Sequence, residues 1–97
     1  MIPSVSSQAD RELFDGAVRY AREGGSELGL AFIAEFERAL ELLCEFPTLA
    51  PIWKADRRRF PLRRFPYSII YYVKGEELRV IALAHHRRKP DYWIGRT

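Results

Sequence analysis

The chain has 97 residues, 47% apolar and 30% charged, with a net charge of +3. That size suits one domain and excludes two, and the composition is that of an ordinary soluble globular protein rather than a disordered or fibrous one. No stretch reaches the roughly 20 consecutive apolar residues a membrane span needs, and Met-Ile-Pro-Ser-Val-Ser-Ser lacks the basic and apolar regions of a secretory signal. The single cysteine, Cys44, has no internal disulfide partner and sits among Leu42, Leu43 and Phe46. It reads as a small buried hydrophobe, and the cytoplasm is the expected compartment.

In chain order, Ile2 to Val5 is a short strand at most, confined by Pro3 to an edge or a strand start. Ser6 and Ser7 are candidate helix N-caps. Leu13, Phe14, Ala17, Tyr20 and Ala21 then recur at helical spacing, and Gly24-Gly25 ends the helix. Ser26 is placed to cap a second helix, whose stripe is Phe32, Ile33, Phe36, Ala39, Leu40 and Leu43. Glu35, Glu37, Arg38, Glu41 and Glu45 lie opposite, and Pro47 stops the helix. The two form an antiparallel αα-hairpin.

Pro47 to Asp56 reads as a loop whose Leu49, Ile52 and Trp53 tuck against the core. Arg57 to Arg64 alternates loosely, as an extended edge strand with a basic side. Phe65-Pro66 breaks it. Tyr67 to Val73 is a dense aromatic and β-branched run with the composition of a central strand. Lys74-Gly75-Glu76-Glu77 is a hairpin turn, and Leu78 to Ala84 the following strand. The predicted architecture is α+β, in the order β-α-α-β-β-β: one domain over residues 1–97, with the α-hairpin on one face of a small antiparallel or mixed sheet. The other face is expected to be free and to carry the arginines.

Charge divides with the structure. Residues 1–50 hold four Arg against nine Asp or Glu, a net of −5; residues 51–97 hold twelve Lys or Arg against four acids, a net of +8. A segregated positive half favours an anionic partner, nucleic acid or an acidic protein segment, over a merely solvated basic face.

The chemistry-bearing stretch is His85-His86-Arg87-Arg88-Lys89-Pro90-Asp91-Tyr92-Trp93, at the end of an apolar strand where side chains are firmly held yet accessible. Two imidazoles there suit acid–base work near neutral pH. Consecutive strand positions point to opposite faces, so one histidine of the pair turns inward, where a structural role is the plainer reading. Arg64 and Arg88 suit bidentate clamping of a phosphate or carboxylate. Tyr92 and Trp93 either stack on a base or plug the sheet. Two adjacent histidines without a cysteine or acid at coordinating spacing do not resemble a zinc set, and no phosphate-cradling glycine loop or serine elbow occurs; neither metal nor cofactor is expected.

The string Arg64-Phe65-Pro66-Tyr67-Ser68-Ile69-Ile70-Tyr71-Tyr72, followed by an apolar strand and then His85-x-Arg87-Arg88-x-Pro90-x-Tyr92-Trp93, resembles the ParE-type toxins of the RelE/ParE superfamily. Phe32, Phe36, Leu40, Leu43, Phe46-Pro47 and Pro51 in the helical half resemble it too, so the similarity runs from Ala9 to Trp93. The resemblance implies the toxin of a type II toxin–antitoxin pair (a plasmid stabilisation system protein), bound by an antitoxin encoded beside it, with a small curved sheet against an α-hairpin. RelE-like members cut mRNA on the ribosome and often carry an arginine where this chain has Ser68, and basic residues where it has His85 and His86; their C-terminal tyrosine is matched by Tyr92. As an endoribonuclease the chain would use His86, Arg88 and Tyr92. ParE-like members are associated with poisoning DNA gyrase, a binding activity. On that reading Arg64, His85, Arg87, Arg88 and Trp93 form the target- or anion-binding surface. A third possibility is a non-toxic basic module that binds nucleic acid.

Overall fold

A computed structural model describes all of residues 1–97. Strand β1 (Ile2–Val5) leads into helices α1 (Ser7–Gly24) and α2 (Ser26–Glu45), followed by strands β2 (Ile52–Lys54), β3 (Arg57–Pro61), β4 (Tyr67–Lys74) and β5 (Glu77–His85). The sheet runs β1-β5-β4-β3-β2. Strands β2 to β5 are an antiparallel meander, and β1 lies parallel to β5 at the far edge. This is the α+β fold expected, with one more strand: the segment read as loop contains β2, which pairs with β3 through Ile52 and Lys54.

Ser6 caps α1, its hydroxyl accepting from Ala9 N at 3.1 Å. Gly25, at φ 88°, ends α1 and also begins α2, so Ser26 is the first helical residue and not the cap expected of it. The αα-hairpin closes tightly because Gly29 has no side chain: a Cβ there would lie 2.7 Å from Ala17 O.

Between the helices and the sheet lies an aromatic core. Phe32, fully buried, meets Tyr20, Phe65 and Tyr67 at centroid distances of 5.2, 5.2 and 4.8 Å. Phe36, Ala39 and Leu43 continue it along α2 against Ile69, Tyr71, Leu78, Val80 and Leu83 of the central strands. Phe14 is exposed, since it lies on the flank of the α1 stripe centred on Ala9, Leu13, Gly16 and Tyr20. Cys44 is only half-buried; its burial still pushes the thiol pKa up.

Leu49, Ile52 and Trp53 are also exposed, contrary to expectation. The connection after α2 is tied down by polar contacts instead. Tyr71 donates its hydroxyl to Pro47 O (2.8 Å), and Arg58 donates to Ala50 O (2.7 Å). Ala50 is the residue of this segment that reaches the core.

The second sheet face is not free. The C-terminal tail folds back over it and buries Trp93 against Ile70, Ile81 and Ala82. A β-bulge supplies part of that surface. Ile70 pairs with Ala82 but Tyr71 with Val80, so Ile81 is the extra residue. Ile81 and Ala82 therefore face the tail together, and the alternation of β5 resumes in the opposite phase.

Candidate functional site: two clefts at the end of the last strand

The bulge decides where the two histidines go. His85 falls on the helix side, its ring edge-on to Tyr67 at 4.9 Å. Its Nδ1 accepts from Arg87 N at 3.0 Å, which leaves the ring proton of the neutral imidazole on Nε2. Burial lowers the His85 pKa, and Arg19, His86 and Arg87 lower it further. His86 falls on the tail side, its Nε2 2.9 Å from Ser68 Oγ. Burial and the Arg59 guanidinium hold its pKa below the ordinary value as well.

On the tail side, Ser68 is fully buried and lies between His86 and Arg59, whose Nε donates to the hydroxyl at 3.3 Å. The Arg59 guanidinium also stacks on Trp53, 4.9 Å from the ring centroid. Arg57, two residues earlier on the same face of β3, stacks on Tyr72 at 4.2 Å. These arginines are thus half-buried over aromatic rings, where a cation is held in place more firmly than on an open strand. A cavity of about 160 Å³ is bordered by Arg59, His86, Arg88, Lys89, Tyr92 and Trp93.

The tail that closes this cavity is held by Glu12 of α1. Beyond Val80, β5 has no strand partner on the β1 side, and Glu12 fills the gap. Its Oε1 accepts from Leu83 N (3.0 Å) and Arg96 Nη1 (2.9 Å), and its Oε2 from the Tyr92 hydroxyl (2.5 Å). Arg88 Nη1 stands 3.6 Å away, and the Arg88 guanidinium covers the Tyr92 ring at 3.8 Å. Burial and the Glu12 carboxylate push the Tyr92 pKa far above that of a free phenol, so at neutral pH Tyr92 is a donor committed to Glu12. A Lys54–Asp91 ion pair at 2.5 Å pins the start of the tail to β2.

The residues singled out from the sequence are therefore divided. His86, Arg88 and Tyr92 border the tail-side cavity. Trp93 is 4% exposed and packs on the sheet, so its ring is occupied by the core and not open to a base. Arg87 lines a separate cleft on the helix side, while His85 and Arg88 border both openings. Arg64 lines neither; it is exposed at φ 68° in the turn before β4, 5.1 Å above the Phe65 ring. Sequence reasoning missed Glu12 and Arg59. Glu12 carries no local signal, since its partners are 71 to 84 residues away. Arg59 was visible only as one of three consecutive arginines; its partner Ser68 was noted for lacking an arginine, not for bonding to one.

Comparison with known proteins agrees with this architecture. The chain is similar to a chain of the solved structure titled "Chromosomal ParDE TA system from P. aeruginosa": TM-score 0.77, 19% identity, covering 88% of this chain and 95% of that one. At that identity the likeness is one of fold. No curated protein sequence matches significantly. No helix is long and apolar enough to cross a membrane. The family profile described as "ParE toxin of type II toxin-antitoxin system, parDE" matches residues 4–90, from β1 through the end of β5 to Pro90. The chain therefore belongs to the ParE toxin family of type II toxin–antitoxin systems.

Proposed function

We propose that this toxin arrests growth by binding and inhibiting DNA gyrase, and that a cognate antitoxin from the adjacent gene neutralises it. The observation that carries the reading is the state of Tyr92. A tyrosine that donates to a buried carboxylate and is pushed strongly toward its protonated form is poorly suited to take a proton from a ribose hydroxyl. Cations fixed over aromatic rings, as at Arg57, Arg59 and Arg88, suit recognition of a large anionic partner surface. The exposed apolar side chains Phe46, Leu49, Ile52 and Trp53, running from the end of α2 to the edge strand β2, offer the antitoxin an apolar surface and a strand edge. Purified toxin at micromolar concentration is expected to block gyrase supercoiling, with activity restored by the antitoxin. Unimpaired supercoiling would remove the gyrase assignment.

A second reading, ribosome-dependent mRNA cleavage, is favoured by one observation. Arg59 reaches Ser68 from the neighbouring strand, bringing a guanidinium beside His86 and Arg88 where the chain lacks an arginine of its own. It predicts new mRNA ends in a translating extract, absent when His86→Ala and Tyr92→Phe are combined. Equal cleavage by that double variant would remove His86 and Tyr92 from the reaction.

A further inference from the structure

The helix-side cleft, about 650 Å³ between α1 and the end of β5, plays no part in the reading above. Tyr67 is only 6% exposed, yet its hydroxyl makes no hydrogen bond within the chain and keeps access to solvent. It comes close to α1 because residue 16 is glycine; a Cβ there would lie 3.3 Å from the Tyr67 oxygen and 2.6 Å from the Phe32 ring. Beside it stands His85, with Nε2–H as its donor. Three guanidiniums border the opening, and that of Arg88 is taken up by Glu12 and the Tyr92 ring. Arg87 pairs with no carboxylate, and Arg19 has only a loose, exposed contact with Glu23 at 3.5 Å, worth little in water. The His85 pKa is lowered first by burial and then by the positive charges of Arg19, His86 and Arg87 around it. Helix α1 brings two carboxylates to the cleft along with Arg19: Glu12 is consumed by the tail, while Asp15 makes no ion pair.

A nearly buried phenol without a partner, an imidazole N–H and unneutralised guanidiniums around one opening are an unfilled set of donors for a small oxyanion. We infer that this cleft binds a carboxylate on an acidic peptide segment of a protein partner, through Tyr67, His85 and the guanidiniums of Arg19 and Arg87. Asp15 chooses between peptide and nucleic acid. It opposes the negative charge of either, but a phosphodiester strand repeats that charge at every nucleotide, whereas a peptide sets its carboxylate among backbone N–H groups from which Asp15 can accept. The inference is independent of the cellular target and of the apolar surface assigned above to the antitoxin.

The test is amide and histidine-ring NMR on the full chain, titrated with a capped Glu-Ala-Glu peptide, its Gln-Ala-Gln counterpart and an oligothymidylate of four nucleotides. Shifts centred on Gly16, Tyr67, His85 and Arg87 with the acidic peptide, weaker with the glutamine peptide and the oligonucleotide, are expected. Tyr67→Phe, which keeps the ring, and Arg87→Gln, at an exposed position, are each expected to weaken binding by about tenfold, as for loss of a hydrogen bond to a charged group. Should Tyr67→Phe not fold, Arg87→Gln decides alone. Equal binding of the glutamine peptide, tighter binding of the oligonucleotide at these residues, or wild-type affinity in Arg87→Gln would each overturn the inference.

Discussion

The two faces of the sheet are built from the same two central strands and end up in opposite conditions. On the helix side, Tyr67, Ile69, Tyr71, Leu78, Val80 and Leu83 meet two amphipathic helices and form a core of 15 buried residues. On the tail side, Ile70, Ile81 and Ala82 meet a short irregular tail, and the buried cluster has four residues, with Trp93 its only large contribution from outside the sheet. The rest of that face is polar: Ser68 with Arg59 and His86, and arginines lying over Tyr72, Trp53 and Tyr92. The difference teaches where specificity can reside. The helix pair supplies most of the apolar surface that covers the sheet, so the second face can carry chemistry that a dry core would not accept.

The largest effect should come from the helix side. Phe32→Ala removes the ring that joins Tyr20, Phe65 and Tyr67, and should cost about 4–5 kcal/mol in urea unfolding. Trp93→Ala should cost less, about 3 kcal/mol, because only one sheet face loses its cover. Equal losses would mean that the two faces contribute alike and that the contrast is false. Glu12→Ala should cost about 2 kcal/mol by removing hydrogen bonds to Tyr92, Arg96 and Leu83. Amide exchange should quicken in residues 91–97 and at Leu83 while α2 stays protected. An unchanged exchange pattern in the tail would show that Trp93 and the Lys54–Asp91 pair secure it without Glu12.

The smallest effect concerns pH. His85 and His86 both titrate below their ordinary value in the fold, mainly through burial, so the unfolded chain takes up protons first as pH falls. Their contribution to stability is complete above the unfolded pKa, about 6.5, and is lost as pH falls through the folded values. The urea midpoint should decline between pH 7.5 and 5, and the decline should flatten in a His85→Gln, His86→Gln double variant. Glu35, whose carboxyl pKa is lowered chiefly by the hydrogen bond it accepts from Arg38, contributes stability that is present throughout this window and is lost only at more acidic pH.

Much of the fold was legible because it is written in local pattern. The stripe from Phe32 to Leu43, the glycine break at Gly24-Gly25 and the run Tyr67 to Val73 each declare an element within a few residues. The opposite orientation of His85 and His86 followed from strand alternation alone. What escaped depends on distance in the chain. The strand at Ile52–Lys54 is three residues long and exists through its pairing with β3, so nothing in Ile-Trp-Lys marks it. The tail gives no periodicity from which its return over the sheet could be read, and the face it covers was therefore expected to be free. Trp93 could be weighed as a plug or as part of the binding surface, and the structure makes it a plug; Glu12, which fastens the tail around it, looks like any acidic residue on an exposed helix turn.

The parallel pairing of β1 with β5 has a consequence for synthesis. Ile2 is matched with Glu77 and Val5 with Val80, so the first strand to leave the ribosome has no partner until the last strand has been made. The αα-hairpin can form early, since its contacts are local, but the sheet that carries both clefts must wait for long-range closure. Both histidines and the Glu12 clasp lie in or against β5 or the tail after it. A chain stopped short of β5 is therefore without either cleft, and the toxin completes both only once its last strand has been translated.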